Sequence, residues 1–188
     1  MAETPPGSNP AGREIHVHGD LPGGSERGMN LLMTADAARL LAEYSADHQN
    51  PFNRLVHTIC VPLIFIAIVA LLWSIPLPAA LAARAPWLNA GTLVLAGVTI
   101  YYLRLAPRLG LGMLVAALCI VPLVGAAAGW PLPLWQTALA VFVVGWIGQF
   151  IGHWFEGRRP SFFRDLRFLL IGPLWVLAKL YTSLGIRS

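Results

Sequence analysis

The sequence predicts an all-α fold: a polytopic membrane helix bundle with about four transmembrane helices, an amphipathic N-terminal helix and a short interfacial or re-entrant C-terminal helix. Three observations predict it. Charged residues make up 12% of the 188-residue chain, against about 25% in a soluble domain, and mean hydropathy is +0.64. The 101 residues from Leu55 to Phe155 hold no acid, no lysine and three arginines, Arg84, Arg104 and Arg108. Turn-forming residues, Pro76 with Pro78 and Trp130-Pro131-Leu132-Pro133, cut that stretch into pieces near the ~20 residues that cross a ~30 Å hydrocarbon core. A small soluble domain cannot keep so long an apolar run from water.

The elements follow in order. Residues 1–28 are rich in Gly, Pro and charge and have no apolar stretch, so residues 1–30 are expected to be a disordered tail rather than a signal peptide. Residues 31–188 then form a single membrane domain. His16 and His18 make an H-x-H pair in the tail, too isolated to carry a metal function. Thr34 to His48 reads as a helix, with Thr34 as N-cap, Asp36 in the first turn and Leu40, Leu41 and Tyr44 on one apolar side. Asn50-Pro51 starts a new helix, because Asn caps well and Pro suits the first helical position. Spans are expected at about 55–75, 87–105, 109–129 and 134–155. Trp73, Trp87, Tyr101, Tyr102, Trp130, Trp135 and Trp154 fall near their ends, as interfacial aromatics do. Phe168 to Ala178 is apolar but short, with Gly172-Pro173 inside it, and reads as interfacial or re-entrant rather than as a fifth span.

Four spans place both termini and the loop between spans two and three on one side. Twelve of the 13 basic residues then share that side, and Arg84 stands alone on the other. The positive-inside rule puts the twelve, and both termini, in the cytoplasm. The net charge of +4 therefore reports membrane orientation and implies no nucleic-acid partner. Cys60 and Cys119 lie in apolar runs without a ligand motif and read as buried thiols.

In so apolar a chain, polar residues at the spans are informative. His48, Asn53 and His57 stand at the entry to span one, and Gln149, His153 and Glu156 at the exit of span four. The topology brings both groups to the cytoplasmic membrane face. At 100° per residue, Gln149, His153 and Glu156 share one helix face beside Gly152, and Asn53 and His57 are an i, i+4 pair. The Asn50-Pro51 break lets His48 fold back from the preceding helix. Three imidazoles can thus converge, a set suited to Fe(II), Zn(II) or Cu(II) or to proton handling. Asn53, Gln149 and Glu156 stand close enough to orient them, and Glu156 is also a candidate fourth ligand or a rim salt-bridge partner of Arg158 and Arg159.

These residues carry a resemblance. His48, Asn53, His57 and Val61-Pro62 resemble the first signature of the 2-hydroxy fatty acid dioxygenase (Mpo-type) family. Gln149-Phe150-Ile151-Gly152-His153-Trp154-Phe155-Glu156, with Pro160 and Gly172-Pro173, resembles its second. The resemblance spans about Tyr44 to Leu177. It implies an Fe(II)-dependent dioxygenase that cleaves a 2-hydroxy fatty acid with O₂ to CO₂ and a fatty acid one carbon shorter, as in fatty-acid α-oxidation. It implies His48, His57 and His153 as metal ligands. Asn53, Gln149 and Glu156 are then the neighbouring catalytic or orienting groups, and Arg158 or Arg159 the partner of the substrate carboxylate. Where the family often has an aromatic or second histidine, this chain has Ser45-Ala46-Asp47. The expected setting is a bacterial inner membrane, with membrane lipid around the chain. The alternatives are a small transporter or proton-coupled carrier using the His/Glu cluster as a relay, and a non-catalytic lipid-binding membrane protein. Clustering at one end counts against the relay, and the five histidines fall short of the eight or so of di-iron membrane hydroxylases.

Overall fold

The computed structural model describes residues 33–85, 87–157 and 170–186. The expected tail, Arg158, Arg159 and Pro160 lie outside the described residues. Among the described residues the chain is helical, without strands.

Helix α1, Ala35–Ala46, starts where expected, with Thr34 Oγ1 accepting from Ala37 N at 3.2 Å. It stops two residues short of His48. His48 N turns to the Ser45 carbonyl, and the His48 ring takes the Tyr44 carbonyl that another helical amide would have used. Helix α2, Pro51–Trp73, begins at the Asn50-Pro51 signal, with Asn50 Oδ1 accepting from the amides of Phe52 and Asn53. A short helix α3, Ala79–Arg84, links it to α4, Ala90–Leu105.

Helix α4 begins three residues later than expected, because Asn89 and Thr92 close a capping box there. Its 16 residues rise about 24 Å, short of the ~30 Å core. Helix α5, Pro107–Ala127, starts on Pro107 and keeps Pro122 inside. Helix α6, Leu134–Glu156, ends on Gly157, which takes the left-handed conformation (φ 70°) that stops a helix. Three of the four expected spans, α2, α5 and α6, are thus long and apolar enough to cross a membrane. Helix α7, Ile171–Ser183, has 13 residues, too few to cross.

Two helix pairs organise the bundle. Helices α4 and α5 form a hairpin whose apolar residues, among them Leu95, Tyr102, Leu109 and Met113, join Phe65 and Val69 of α2 and Leu174 of α7 in the core. Helices α2 and α6 pack through the glycines of α6. A methyl group at Gly145 would stand 2.7 Å from Ile64 Cγ1, and one at Gly148 2.6 Å from Cys60 Sγ. The outward faces carry large apolar side chains, including Leu118, Val144, Phe150 and Trp154. That arrangement suits lipid and would be costly in water. Tyr102 Oη donates to the Leu170 carbonyl, and Thr34 N to the Leu105 carbonyl, so α1 and the start of α7 are tied to the turn between α4 and α5.

Candidate metal centre

The antiparallel α2–α6 pair brings the first turns of α2 to the last turns of α6. Glu156 fastens that end. Its carboxylate accepts from Gln49 N at 2.9 Å, from Asn50 N at 2.9 Å and from Asn53 Nδ2 at 2.9 Å. A carboxylate capping the amides at the start of a helix is favoured by the helix dipole. Asn50 Nδ2 adds a bond to the Phe155 carbonyl at 3.0 Å. Gly152 lets α2 come this close, since any side chain there would collide with Asn53 Oδ1.

With that end fastened, His57 and His153 face each other across the seam, ring centroids 4.9 Å apart. His48 arrives from the linker after α1 and completes a triangle, 4.2 Å from His57 and 5.5 Å from His153. All three are buried. One ring nitrogen from each lies within 4.8 Å of the others, the arrangement that can hold a metal ion. Among the described residues the group contains these three histidines and no carboxylate. Glu156 is therefore placed beside the cluster rather than in it.

The ring tautomers fit that role. His48 Nδ1 lies 2.6 Å from the Tyr44 carbonyl and His57 Nδ1 3.0 Å from the Asn53 carbonyl. A carbonyl only accepts, so each Nδ1 carries the proton and each Nε2 keeps a lone pair. Such backbone support is the usual partner of a metal-ligating imidazole. His48 Nε2 and His153 Nδ1 are buried with no hydrogen-bond partner. Burial also holds the His48 imidazole below its ordinary pKa range, partly offset by its bond to Tyr44. A neutral ring is the ligating form.

Two aromatics close the site from the α1–α7 side. Tyr44 stacks on His48, centroids 4.2 Å apart and planes at 15°. Trp175 stands 5.9 Å from His48 and 5.2 Å from Tyr44, and its Nε1 donates to Ser45 Oγ at 2.8 Å. Sequence reasoning assigned Tyr44 to an apolar helix face and did not single out Trp175. The available signal was Tyr44 one turn before His48 and Trp175 just after Gly172-Pro173. Lys179 Nζ sits 4.1 Å from the Trp175 ring centroid, which puts a cation at the margin. The structure brings His48, Asn53, His57, Gln149, His153 and Glu156 to one end of the bundle. It does not describe Arg158 and Arg159.

A family model described as "Mpo1-like: 2-hydroxy-palmitic acid dioxygenase Mpo1-like" matches residues 34–184, which include every residue of this site. The chain belongs to the Mpo1-like family. A relative of this Mpo1-like protein in Saccharomyces cerevisiae (strain ATCC 204508 / S288c), named 2-hydroxy-palmitic acid dioxygenase MPO1, is 29% identical over 153 residues. The match covers 80% of this chain and 82% of the relative. No solved structure matches the chain. The Mpo1-like match begins at the N-cap of α1 and runs past the end of α7, so the family's common segment includes the short helices that close the histidine cluster.

Proposed function

We propose that this chain is an Fe(II)-dependent membrane dioxygenase. It cleaves a 2-hydroxy fatty acid with O₂ to the fatty acid one carbon shorter, CO₂ and water. The observation that carries the reading is the buried His48–His57–His153 triangle, with ligand atoms within 4.8 Å, in a chain of the Mpo1-like family. Membership alone would leave the chemistry to a relative of modest identity. A histidine set with two rings fixed by backbone carbonyls and two buried ring nitrogens without partners adds the means to hold a metal.

His48, His57 and His153 would hold the iron, which when bound supplies electrons to O₂ and free positions for a chelating substrate. The protein's own contributions follow from its geometry. Glu156 and Asn53 keep α2 and α6 together, and so set the spacing between His57 and His153. The Tyr44 and Asn53 carbonyls hold the ring protons of His48 and His57 on Nδ1. Tyr44 and Trp175 exclude water from one side. Arg158 or Arg159, just past the end of α6, would meet the substrate carboxylate. An apolar cavity of about 280 Å³ lies between α2, α5 and α7, lined by Pro62, Phe65, Met113, Ile120, Pro173 and Val176 among others. None of the histidines lines it, but Pro62 is only five residues beyond His57 on α2. It is close in size to the smaller ligand pockets, which start at about 300 Å³, and suits part of an acyl tail.

The basic flanks support a cytoplasmic placement of the site and both termini, and the membrane we propose is a bacterial inner membrane. The test is product analysis by mass spectrometry. Purified protein given 2-hydroxypalmitate and O₂ should yield pentadecanoic acid and CO₂ in equal amounts. Intact 2-hydroxypalmitate in the presence of added Fe(II) would overturn the proposal.

A further inference from the structure

The buried groups around the histidines leave one kind of valence open. His48 Nε2, His153 Nδ1, Asn53 Oδ1 and Gln149 Oε1 are buried without a hydrogen-bond partner. A metal held by the imidazoles would account for the ring nitrogens. It leaves the two amide oxygens unexplained, and proteins rarely leave buried acceptors open.

These oxygens are well hidden. Asn53 is 0% and Gln149 7% exposed. Asn53 is oriented unambiguously, because its Nδ2 donates to the Glu156 carboxylate, which can only accept. Its Oδ1 must then point the other way, against Gly152. Gln149 lies one turn before His153 on the same side of α6, about 6 Å further along the helix toward its apolar middle. The two acceptors thus border the histidine triangle along the α2–α6 seam.

An amide oxygen needs a donor hydrogen. An ionised fatty acid has none, since its carboxylate only accepts and its chain is apolar. A 2-hydroxy acid has one, on the carbon next to the carboxylate, where head group and tail meet. We propose that Gln149 Oε1 accepts a hydrogen bond from the substrate 2-hydroxyl, and that this bond separates 2-hydroxy acids from their unsubstituted counterparts. The proposal rests on the functional reading above and assigns its specificity to a residue. Asn53, pinned by Glu156, keeps the second acceptor on the same seam, against Gly152. A site built to hydrogen-bond a substrate hydroxyl discriminates strongly against the analogue that lacks it, because the analogue leaves the buried acceptor unpaired.

The test is competition binding of 2-hydroxypalmitate and palmitate to the full-length, metal-loaded protein in detergent, under argon so that no turnover occurs. Wild type, Gln149→Leu and Gln149→Met are compared, with metal content measured on each. Wild type is expected to prefer the hydroxy acid by at least about 10-fold, the scale of one buried hydrogen bond. Both variants should lose about 10-fold of that preference while keeping their metal and binding palmitate as well as wild type does. Three results overturn the proposal: equal affinity of wild type for the two acids, a preference surviving within about threefold in a folded variant, or loss of metal in both variants, which would make Gln149 a positioning residue for His153. If one variant fails to fold, the other and the wild-type comparison still decide. Retained conversion of 2-hydroxypalmitate with no Gln149 effect defeats only this proposal, whereas a protein that neither binds nor converts the acid defeats the functional reading as well.

Discussion

Thr99 and Gln149 are both polar side chains buried in apolar helices, one on the α4–α5 hairpin and one on the α2–α6 pair. Thr99 Oγ1 donates to the Leu95 carbonyl at 2.8 Å and so closes its bond within its own helix. Gln149 Oε1 has no partner. The same contrast holds between Asn89, which closes a capping box with Thr92, and Asn53, whose Oδ1 is left open. In the hairpin, Thr99 and Asn89 serve the helix that carries them. At one end of α2–α6, Asn53 is held across the seam by Glu156, and the amide oxygens of Asn53 and Gln149 are left with valence to spare. That difference marks where chemistry can occur in a bundle whose described helices turn large apolar side chains outward.

The largest expected effect breaks the open end outright. His57→Ala should abolish stoichiometric iron binding and reduce turnover at least about 100-fold, with helical content by circular dichroism unchanged. Thr99→Val in the hairpin should leave iron content and turnover as they are. Substitution at the seam should have a smaller but clear effect. Gly148→Val places branched carbons against Cys60 Sγ and should cost about 1–3 kcal/mol in unfolding free energy. Gly97 of α4 meets nothing within 4 Å, so Gly97→Ala should leave stability unchanged or raise it by up to about 1 kcal/mol. Thermal unfolding in detergent checks both.

Glu156→Gln comes next. It removes the charge that caps α2 but keeps the side chain's shape, and should weaken metal affinity about 10–100-fold, as loss of a ligand-supporting group does. Metal titration reads this directly. If affinity is unchanged, the clamp does not set the histidine spacing. The smallest effect concerns pH. Because burial lowers the His48 pKa in the fold, the unfolded chain binds the proton more readily. Metal-free protein should therefore lose stability as pH falls below about 6.5, and His48→Gln should flatten that slope in the melting temperature.

Much of this contrast is readable in the chain before folding, and the limits have physical causes. Asn50-Pro51 announces the start of α2 because capping and the fixed proline φ are local properties. The i, i+4 spacing of Asn53 and His57 places them on one face for the same reason. The late start of α4 is less visible, because Trp87 and Leu88 are apolar enough for a span while the Asn89 cap excludes them from the helix. The end of α1 at Ala46 depends on the His48 ring taking a backbone carbonyl, which competes with helix propensity. The clamp is least visible. Glu156 meets Asn50 across 106 residues, and local pattern alone leaves it equally suited to a metal or to a neighbouring arginine. Trp175 is hidden for a similar reason, since an aromatic at helical spacing reads as core until the fold sets it beside His48.

The most direct test of the central claim pairs iron content with oxygen uptake on 2-hydroxypalmitate, for wild type and His153→Ala purified side by side. Wild type is expected to carry about one iron per chain and to consume one O₂ per acid cleaved, while folded His153→Ala carries no stoichiometric iron and consumes none. Equal oxygen uptake by the two proteins, or wild-type activity without any metal, would contradict a reaction centred on the three histidines.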